Sequence, residues 1–386
     1  MLSTVAVAGY RSLRQLVLEL DQLTVVTGPN GSGKSNLYRS LRLLAACGQG
    51  QVIGALAQEG GLASSLWAGP RGSGRVALQL GFAADDVGYQ LDLGLPQDEG
   101  SPFQRDPEIK TEAVWAGPLL RPGTVQAERR GPHLRTRDDA GRWEDRASRL
   151  APYESMIDEL VDPVATPELH AVRRLLRGWR FYDHFRTDPG APAREVRPGT
   201  RTPVLAPTGD DLAAALTTIE AMGDPEPLER AVADAFDGAR LRLSAVDGRF
   251  GLALEQPGLE RPLAAAELSD GTLRYLMVVA ALLSPRPPSL LVLNEPEANL
   301  HPSMLAPLAR LVRAAAATTQ LVVVTHAEAL AEALLDAGGH GGGAVAGRAE
   351  APVPTTHVEL TKDLGETVVV GREGRLDQPA WSWTSR

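Results

Sequence analysis

The chain has little of several features that would place it in familiar protein classes. One of its 386 residues is cysteine, Cys47, which excludes an intrachain disulfide and a cysteine metal cluster. The longest uninterrupted apolar run, at residues 276–283, is far too short to span a bilayer. No heptad pattern is sustained, which excludes long coiled-coil arms. No basic, apolar and small-residue leader precedes the first predicted strand, and we expect a cytoplasmic protein.

Lysine and net positive charge are also scarce. Only three of the 39 basic residues are lysine, and the formal net charge at pH 7 is −9. Such a charge argues against a surface coated in basic residues for nucleic acid. Residues 171–201 differ locally, because eight arginines occur there with three acidic residues. This segment is either a DNA-facing patch or an arginine-rich solvated face.

A phosphate-binding pattern lies near the start of the chain. The sequence GPNGSGKS at residues 28–35 fits G-x-x-x-x-G-K-[ST]. An apolar strand is predicted before it at residues 23–27, and a helix with helically spaced apolar residues is predicted after it. Glycines let backbone N–H groups approach an anion, and the helix N-terminus adds the positive end of its dipole. The pattern predicts that Lys34 reaches the β- and γ-phosphates and that the Ser35 hydroxyl binds Mg²⁺.

A second group of motifs occurs at residues 267–326. The run SLLVL ending at residue 293 predicts a buried parallel strand that delivers Asn294 and Glu295 at its carboxyl end. The run LVVVT ending at residue 325 predicts a second such strand, followed by His326. Residues 304–317 predict a crossover helix between the two strands. The sequence LSDGT at residues 268–272 opens another helix, whose N-terminus is a further candidate anion site.

Other segments give local predictions. Alternation predicts a hairpin of residues 76–82 and 89–95 that turns at Asp85 and Asp86. Residues 96–150 are polar and rich in proline, glycine and arginine, and their strand-like pieces cannot be placed. A helix is predicted to start at Asp210 and Asp211, which can cap it.

In order and spacing, these motifs resemble those of ABC-type ATPases of the RecF-like and SMC-like branch. Within that branch they resemble the short predicted AAA-type ATPases related to the OLD (overcoming lysogenization defect) family, without a Toprim nuclease domain. Walker A corresponds to residues 28–36, the signature motif to 268–272, Walker B to 290–295, the D-loop to 296–302 and the switch histidine to His326. The resemblance implies an α/β P-loop NTPase of ABC-ATPase head type. Its mixed β-sheet core would carry an antiparallel β lobe and a helical insert.

The resemblance also implies cofactors and roles, with ATP and Mg²⁺ as the cofactors. Glu295 would orient and polarise the attacking water, and His326 would sense the γ-phosphate. Ser35, Asn294 and Glu295 would form the metal site. The implied nucleotide-binding residues are Gly28, Asn30, Gly31, Ser32, Gly33, Lys34, Ser35, Asn36, Ser269 and Gly271. Ser269 and Gly271 would contact the γ-phosphate held by the opposite subunit, so that ATP binding forms a homodimer around two ATP molecules.

Three positions leave alternatives open. Asn294 stands where Walker B normally has aspartate. It is either a tolerated variant or a change that slows hydrolysis and makes the protein a binding-driven switch. His326 is either the sensor or a histidine packed in the core. His301 either crosses the dimer interface or caps the next helix.

Further segments are also open. The Q-loop glutamine is not identified, and Gln126 and the Glu154–Ser155 pair are candidates. Residues 10–12 resemble the Phe-Arg-Ser segment that precedes the P-loop in this branch. Within this segment, Arg11 either touches nucleotide or lies at the surface. The tryptophans Trp381 and Trp383 dock either onto the sheet or onto a partner.

We expect one interleaved ATPase head made of three segments. These are an N-terminal lobe at 1–95, an inserted helical lobe with Pro- and Arg-rich loops at 96–260, and a C-terminal lobe at 261–386. The expected function is a dimerising ATPase coupled to DNA or a partner effector, in a DNA-repair or phage-defence role. The alternatives are an ATP-binding regulatory switch with negligible hydrolysis and, less favoured, a transporter ATPase subunit. No membrane partner is expected.

Overall fold

The computed structural model describes residues 1–70, 77–96, 102–138, 140–146, 150–160, 162–336, 353–372 and 377–386. Its strands are β1 Leu2–Tyr10, β2 Leu13–Glu19, β3 Leu23–Thr27, β4 Leu78–Ala84, β5 Val87–Gly94, β6 Glu108–Ala116, β7 Val125–Arg130, β8 His133–Arg137, β9 Trp143–Arg146, β10 Trp179–Tyr182, β11 Arg197–Pro198, β12 Arg240–Val246, β13 Arg249–Glu255, β14 Leu263–Ala264, β15 Leu290–Asn294, β16 Gln320–Val324, β17 Thr355–Asp363 and β18 Glu366–Val369. Its helices are α1 Lys34–Cys47, α2 Val52–Gln58, α3 Leu62–Ser65, α4 Met156–Glu159, α5 Pro167–Gly178, α6 Leu212–Met222, α7 Pro225–Ala235, α8 Asp270–Leu282, α9 Leu305–Ala315 and α10 Glu328–Leu335. Short 3₁₀ turns occur at Pro192–Arg194, Ala265–Glu267 and Pro302–Met304.

The chain forms two compact units. The first contains residues 1–21, 27–179 and 358–386, and the second contains residues 22–26 and 180–357. The chain passes from the second unit to the first at the end of β3, between Val26 and Thr27. These limits differ from the expected boundaries after residues 95 and 260.

An antiparallel sheet of eight strands forms the body of the first unit, in the order β2-β1-β4-β5-β6-β7-β8-β9. The hairpin β4–β5 turns at Asp85 and Asp86 as predicted, although part of its predicted first strand, residue 76, lies outside the described residues. The predicted helical character of residues 96–260 is wrong for 108–146, where β6 to β9 continue the sheet. The reason is that Glu112 and Arg129 are buried within these strands, which hides the usual alternation of apolar and polar residues.

Glu112 and Arg129 form a buried ion pair, with Arg129 Nη1 3.6 Å from Glu112 Oε2. Glu112 accepts hydrogen bonds from the Tyr89 hydroxyl, the Ser155 hydroxyl and the Met156 N–H. Arg129 donates to the carbonyl oxygens of residues 131, 151 and 154. Burial, followed by the nearby Glu112, raises the pKa of Tyr89 well above its ordinary value. Glu154 and Ser155, which are Q-loop candidates, therefore take part in the hydrogen bonds that hold this buried ion pair.

Residues 377–386 dock onto the antiparallel sheet of the first unit. The rings of Trp381 and Trp115 meet edge to face, with centroids 5.7 Å apart. Arg386 pairs with the buried carboxylate of Asp92, Nη2 to Oδ1, at 2.5 Å. Of the two alternatives for the tryptophans, docking onto the sheet is confirmed.

Parallel strands form the centre of the second unit, where the order is β10-β15-β16-β3. The pairs β15–β16 and β16–β3 are parallel, and Asn294, Val324 and Val26 lie in one row across them. The apolar helix α8 is buried along most of its length, and α9 crosses between β15 and β16 as predicted. Asp211 precedes α6 without capping it, because its carboxylate accepts the Ala206 N–H instead, at 2.9 Å. None of the helices in the described ranges combines the length and apolar character needed to cross a membrane.

Replacing Glu112 by alanine should destabilise the first unit strongly, because it leaves the Arg129 charge buried without its partner. We expect a loss of about 3–5 kcal/mol in the free energy of unfolding. The control is Glu144→Ala, which removes a half-exposed partner of Arg146 at 3.3 Å. That change should cost less than about 1 kcal/mol. Urea unfolding followed by circular dichroism compares the two variants, and equal midpoints would contradict the expectation.

Candidate functional site

The loop between β3 and α1 has backbone conformations that glycine adopts most readily. Gly28, Gly31 and Gly33 have φ angles of 143°, 81° and 110°. A Cβ atom on Gly28 would overlap the carbonyl oxygen of Leu360, and one on Gly33 would overlap the side chain of Thr367. A Cβ on Gly31 would meet no described atom within 4 Å. The loop is thus packed tightly at its two ends and open in its middle.

A directed chain of hydrogen bonds holds this loop. Asn36 Nδ2 donates to Ser12 Oγ at 2.8 Å, and Thr367 Oγ1 donates to the Ser32 carbonyl at 2.7 Å. The Ser12 and Thr367 hydroxyls are 2.8 Å apart. Because Thr367 has used its only hydrogen on Ser32, Ser12 must be the donor to Thr367. The side chain of Asn36, a predicted nucleotide contact, is therefore engaged in holding the loop.

The first turn of α1 presents groups suited to an anion. Lys34 is buried and its ammonium donates to the carbonyls of Gly28 and Pro29, at 2.6 and 3.1 Å. The Ser32 hydroxyl is buried without a hydrogen-bond partner in the described structure. Ser35 is exposed, as is Asn30. No side chain caps α1 and its first turn has no acidic residue, so its N-terminal N–H groups and dipole favour negative charge.

In the second unit, Glu295 follows β15 in a strained conformation. Its φ angle is 48°, in the left-handed region that non-glycine residues rarely adopt. Its backbone N–H donates to the Val324 carbonyl at 2.8 Å, and its own carbonyl accepts from Arg274 Nη2 at 2.8 Å. Both bonds hold the residue in place. Strain of this kind is often found at functional sites.

His326 lies beside two carboxylates. Its Nδ1 is 3.7 Å from Glu295 Oε1 and 3.4 Å from Glu297 Oε1. The imidazole is 50 % exposed, so it does not pack in the core. Glu297 is buried and accepts from the Thr325 hydroxyl at 2.6 Å and from the His326 N–H at 3.2 Å. Glu297 was not predicted as a site residue, and its sequence signal is its place in the 296–302 loop, two residues after Glu295.

Asn294 is the last residue of β15 and is 9 % exposed. Its Nδ2 donates to Asp183 Oδ1 at 2.7 Å, while its Oδ1 has no partner among the described residues. Asp183 directly follows β10, the strand next to β15 in the sheet. Sequence reasoning missed Asp183, because 111 positions separate it from Asn294.

The charges around these residues favour a cation. Burial lowers the pKa of Arg274, and the carboxylates of Glu297, Asp183 and Glu295 oppose that shift. Three carboxylates against one guanidinium leave a negative local field. In the described part of the chain, no three histidine, cysteine or acidic side chains are arranged as a complete metal cage. Mg²⁺ in nucleotide sites takes one or two carboxylates together with phosphate oxygens and water, and the residues here fit that use.

The LSDGT segment also has a defined geometry. Ser269 Oγ accepts the Thr272 N–H at 3.1 Å and caps α8, which starts at Asp270 within the predicted opening segment. A Cβ on Gly271 would lie 2.5 Å from the Asn299 carbonyl oxygen, so this segment packs against the 296–302 loop. Asp270 accepts a hydrogen bond from Arg194 Nη2 at 2.6 Å.

Three arginines of the segment 171–201 pair with acidic residues of their own unit. Arg173 and Arg177 both pair with Asp158 in the first unit, at 3.0 and 3.1 Å. Arg194 in the second unit is 10 % exposed and pairs with Asp270. These pairs give the three arginines a structural use, whereas the arginines at 174, 197 and 201 are exposed.

Two other open positions have local partners. His301 Nδ1 accepts the Ser303 N–H at 3.3 Å, which confirms that it caps the following turn. Arg11 pairs with Glu59 at 3.1 Å. Gln126, the other Q-loop candidate, lies in β7.

Comparison with known proteins agrees with this arrangement of motifs. A family model described as "AAA domain, putative AbiEii toxin, Type IV TA system" matches residues 23–332. The chain is similar to the structure of an SMC head bound to the C-winged helix domain of ScpA, at 14 % identity and a TM-score of 0.53, over 96 % of this chain and 97 % of that one. It is also similar to an Smc head with an extended coiled coil, bound to the C-terminal domain of ScpA derived from Pyrococcus furiosus. That match has 12 % identity and a TM-score of 0.51, over 96 % of this chain and 95 % of the other.

At these identities the structural likeness concerns the fold, and it confirms the expected P-loop ATPase head with its mixed α/β architecture and antiparallel sheet. No curated protein sequence is significantly similar to this chain. The family match covers most of the chain and includes the glycine loop, Glu295 and His326. This chain therefore belongs to the family of AAA domains related to the AbiEii toxin of type IV toxin–antitoxin systems.

Proposed function

We propose that this protein binds ATP with Mg²⁺ and hydrolyses it to ADP and phosphate. The observation that carries the proposal is the glycine loop followed by Lys34 and the uncapped N-terminus of α1. Backbone N–H groups, an ammonium and a helix dipole at one loop are the means by which P-loop proteins hold a triphosphate. Membership in an AAA-domain family supports nucleotide binding and ATPase activity in general terms.

The parallel strands support a catalytic role for Glu295. In the sheet of the second unit, β3, β15 and β16 run in the same direction. The carboxyl ends of parallel strands meet at one edge, where open α/β sheets bind ligands. Asn294 is the last residue of β15, Glu295 follows it directly, and His326 lies two residues after β16. We therefore propose that the two catalytic side chains, Glu295 and His326, act at this edge.

Each residue has a distinct role in this proposal. The Glu295 carboxylate accepts a hydrogen bond from the attacking water and orients it, and His326 senses the γ-phosphate. Lys34 and the loop residues at 28, 30–33 and 36 contact the phosphates. Ser35, Asn294 and Glu295 would hold Mg²⁺, which would supply positive charge against that of the phosphates. Positioning and charge neutralisation then supply most of the catalysis.

Glu295→Gln should reduce steady-state phosphate release from Mg·ATP by about 100-fold or more, because the amide cannot polarise the water. The affinity for ATP should change by less than threefold. Glu328→Gln is the control, since it removes one exposed carboxylate at the start of α10. Full turnover in Glu295→Gln would contradict the catalytic role. Tight ATP binding by the native protein without turnover would instead favour the regulatory switch, with Asn294 as its cause.

Gly28→Ala should weaken the binding of a fluorescent ATP analogue by about 100-fold or more, because its Cβ would displace the loop or Leu360. Gly31→Ala is the matched control, since its position has space and only its φ angle is unfavourable. The unfavourable φ angle should cost roughly 1–2 kcal/mol, which corresponds to about a tenfold loss of affinity for the ATP analogue. Equal losses in the two variants would count against a phosphate site formed by this loop.

We further propose that ATP binding joins two copies of the chain, with Ser269 and Gly271 of each facing the nucleotide of the other. Ser269 is exposed at the N-terminus of α8 and fits such a contact. Glu295→Gln loaded with ATP should double in mass by light scattering, because hydrolysis no longer dissolves the dimer. Adding Ser269→Arg should return it to a monomer through steric and charge conflict. A monomer in every sample, or a dimer that survives Ser269→Arg, would refute this arrangement.

In the cell, we propose that this cycle acts on DNA or on a partner effector in the cytoplasm, in a DNA-repair or phage-defence role. The family description, which names a toxin of a type IV toxin–antitoxin system, favours the defence role. A relation to the OLD family without a Toprim domain belongs to the same proposal. Phosphate release measured with duplex and single-stranded DNA separates the two kinds of partner, because only a DNA-coupled enzyme is stimulated.

A further inference from the structure

We propose that Asp183 supplies the negative charge that the Walker B position lacks, so that Asp183 joins Asn294 among the residues that would hold Mg²⁺. This inference rests on the proposed ATP function and names a metal-site residue outside every motif of the sequence. Residue 294 is a neutral amide. The carboxylate is supplied by Asp183, which directly follows the neighbouring strand β10.

The amide of Asn294 is oriented by Asp183. Because Nδ2 donates to Asp183 Oδ1 at 2.7 Å, the Oδ1 of Asn294 points away from that carboxylate oxygen. That oxygen is buried, and no hydrogen-bond donor within the described ranges reaches it. A buried acceptor without a partner is unusual in a folded protein and calls for an explanation. A hydrated cation beside Asn294 would satisfy this oxygen.

The charge of Asp183 is available to such a cation. Arg274 donates to the backbone carbonyls of Asp183 and Glu295, at 3.4 and 2.8 Å, and not to their carboxylates in the described contacts. In the described contacts, His184 Nε2 lies 3.5 Å from the Asp183 carboxylate, and the His184 ring is 92 % exposed. Asp183 itself is 22 % exposed, so its field is only partly screened by water.

The same contact explains why residue 294 is an amide. An aspartate at 294 would set two carboxylates within hydrogen-bond distance of each other, and like charges at that distance cannot both ionise without a large cost. The amide converts the repulsion into a hydrogen bond and keeps the charge of the pair at −1. The pair therefore carries the same charge as one Walker B aspartate.

Binding of Mn²⁺, measured by electron paramagnetic resonance, tests this inference without relying on turnover. The full chain is loaded with the non-hydrolysable β,γ-imido analogue of ATP, and free Mn²⁺ is titrated. Asp183→Asn should weaken Mn²⁺ binding by about tenfold or more, as changes beside metal ligands do. The new amide has the same shape and can still accept the bond from Asn294, so a purely structural role for Asp183 predicts no change.

Two further variants complete the test. The exchange variant Asp183→Asn/Asn294→Asp restores one carboxylate and one amide, and its Mn²⁺ affinity should return to within threefold of the native value. Asp188→Asn removes a half-exposed carboxylate five residues after Asp183 and should leave the Mn²⁺ affinity unchanged. Thermal unfolding in EDTA verifies that each variant is folded.

The outcomes separate the two proposals. Native Mn²⁺ affinity in Asp183→Asn, or an exchange variant no better than Asp183→Asn alone, overturns the role of Asp183. Binding of the ATP analogue in EDTA should differ by less than threefold among all variants. If the native protein itself does not bind the analogue, the proposed ATP function fails, and this inference fails with it.

Discussion

Asn294, Val324 and Val26 occupy one row of a parallel sheet, and the position of every candidate catalytic group follows from that pairing. The strands around this row are buried, so their interiors consist almost entirely of leucine and valine. Unpaired polar side chains inside such strands would have a large desolvation cost. The polar side chains of the candidate site, Glu295 and His326, therefore lie after the ends of the strands.

A second constraint acts on the glycine loop. Its ends are packed so closely against Leu360 and Thr367 that a side chain at Gly28 or Gly33 would collide with them. Close packing alone would not choose one loop conformation. The hydrogen bonds that run from Asn36 through Ser12 and Thr367 do so, because they end on the carbonyl of the loop itself. The glycines permit the conformation and the hydrogen bonds select it.

Much of this arrangement could be predicted from local sequence. The strands β3, β15 and β16 and the helices α1 and α9 lie where apolar periodicity predicts them. The strands β6 to β9 could not be placed. In β6 and β7 the charged residues Glu112 and Arg129 are buried, although a local sequence pattern predicts that charged residues are exposed. Thr367, Asp183 and Arg194 were missed for a different reason. Their partners lie 76 to 355 positions away, and no spacing rule connects them.

One short stretch of chain contacts two positions of the motifs. Asn294 stands where Walker B normally has aspartate and is bound to Asp183, while Asp270 in the segment 268–272 is bound to Arg194. The partner is a carboxylate beside the neutral amide and a guanidinium beside the carboxylate. The stretch from Asp183 to Arg194 lies outside all the motifs, yet it contacts both positions. The local charge around a motif therefore depends on residues that no motif contains, and it cannot be counted from the motif residues alone.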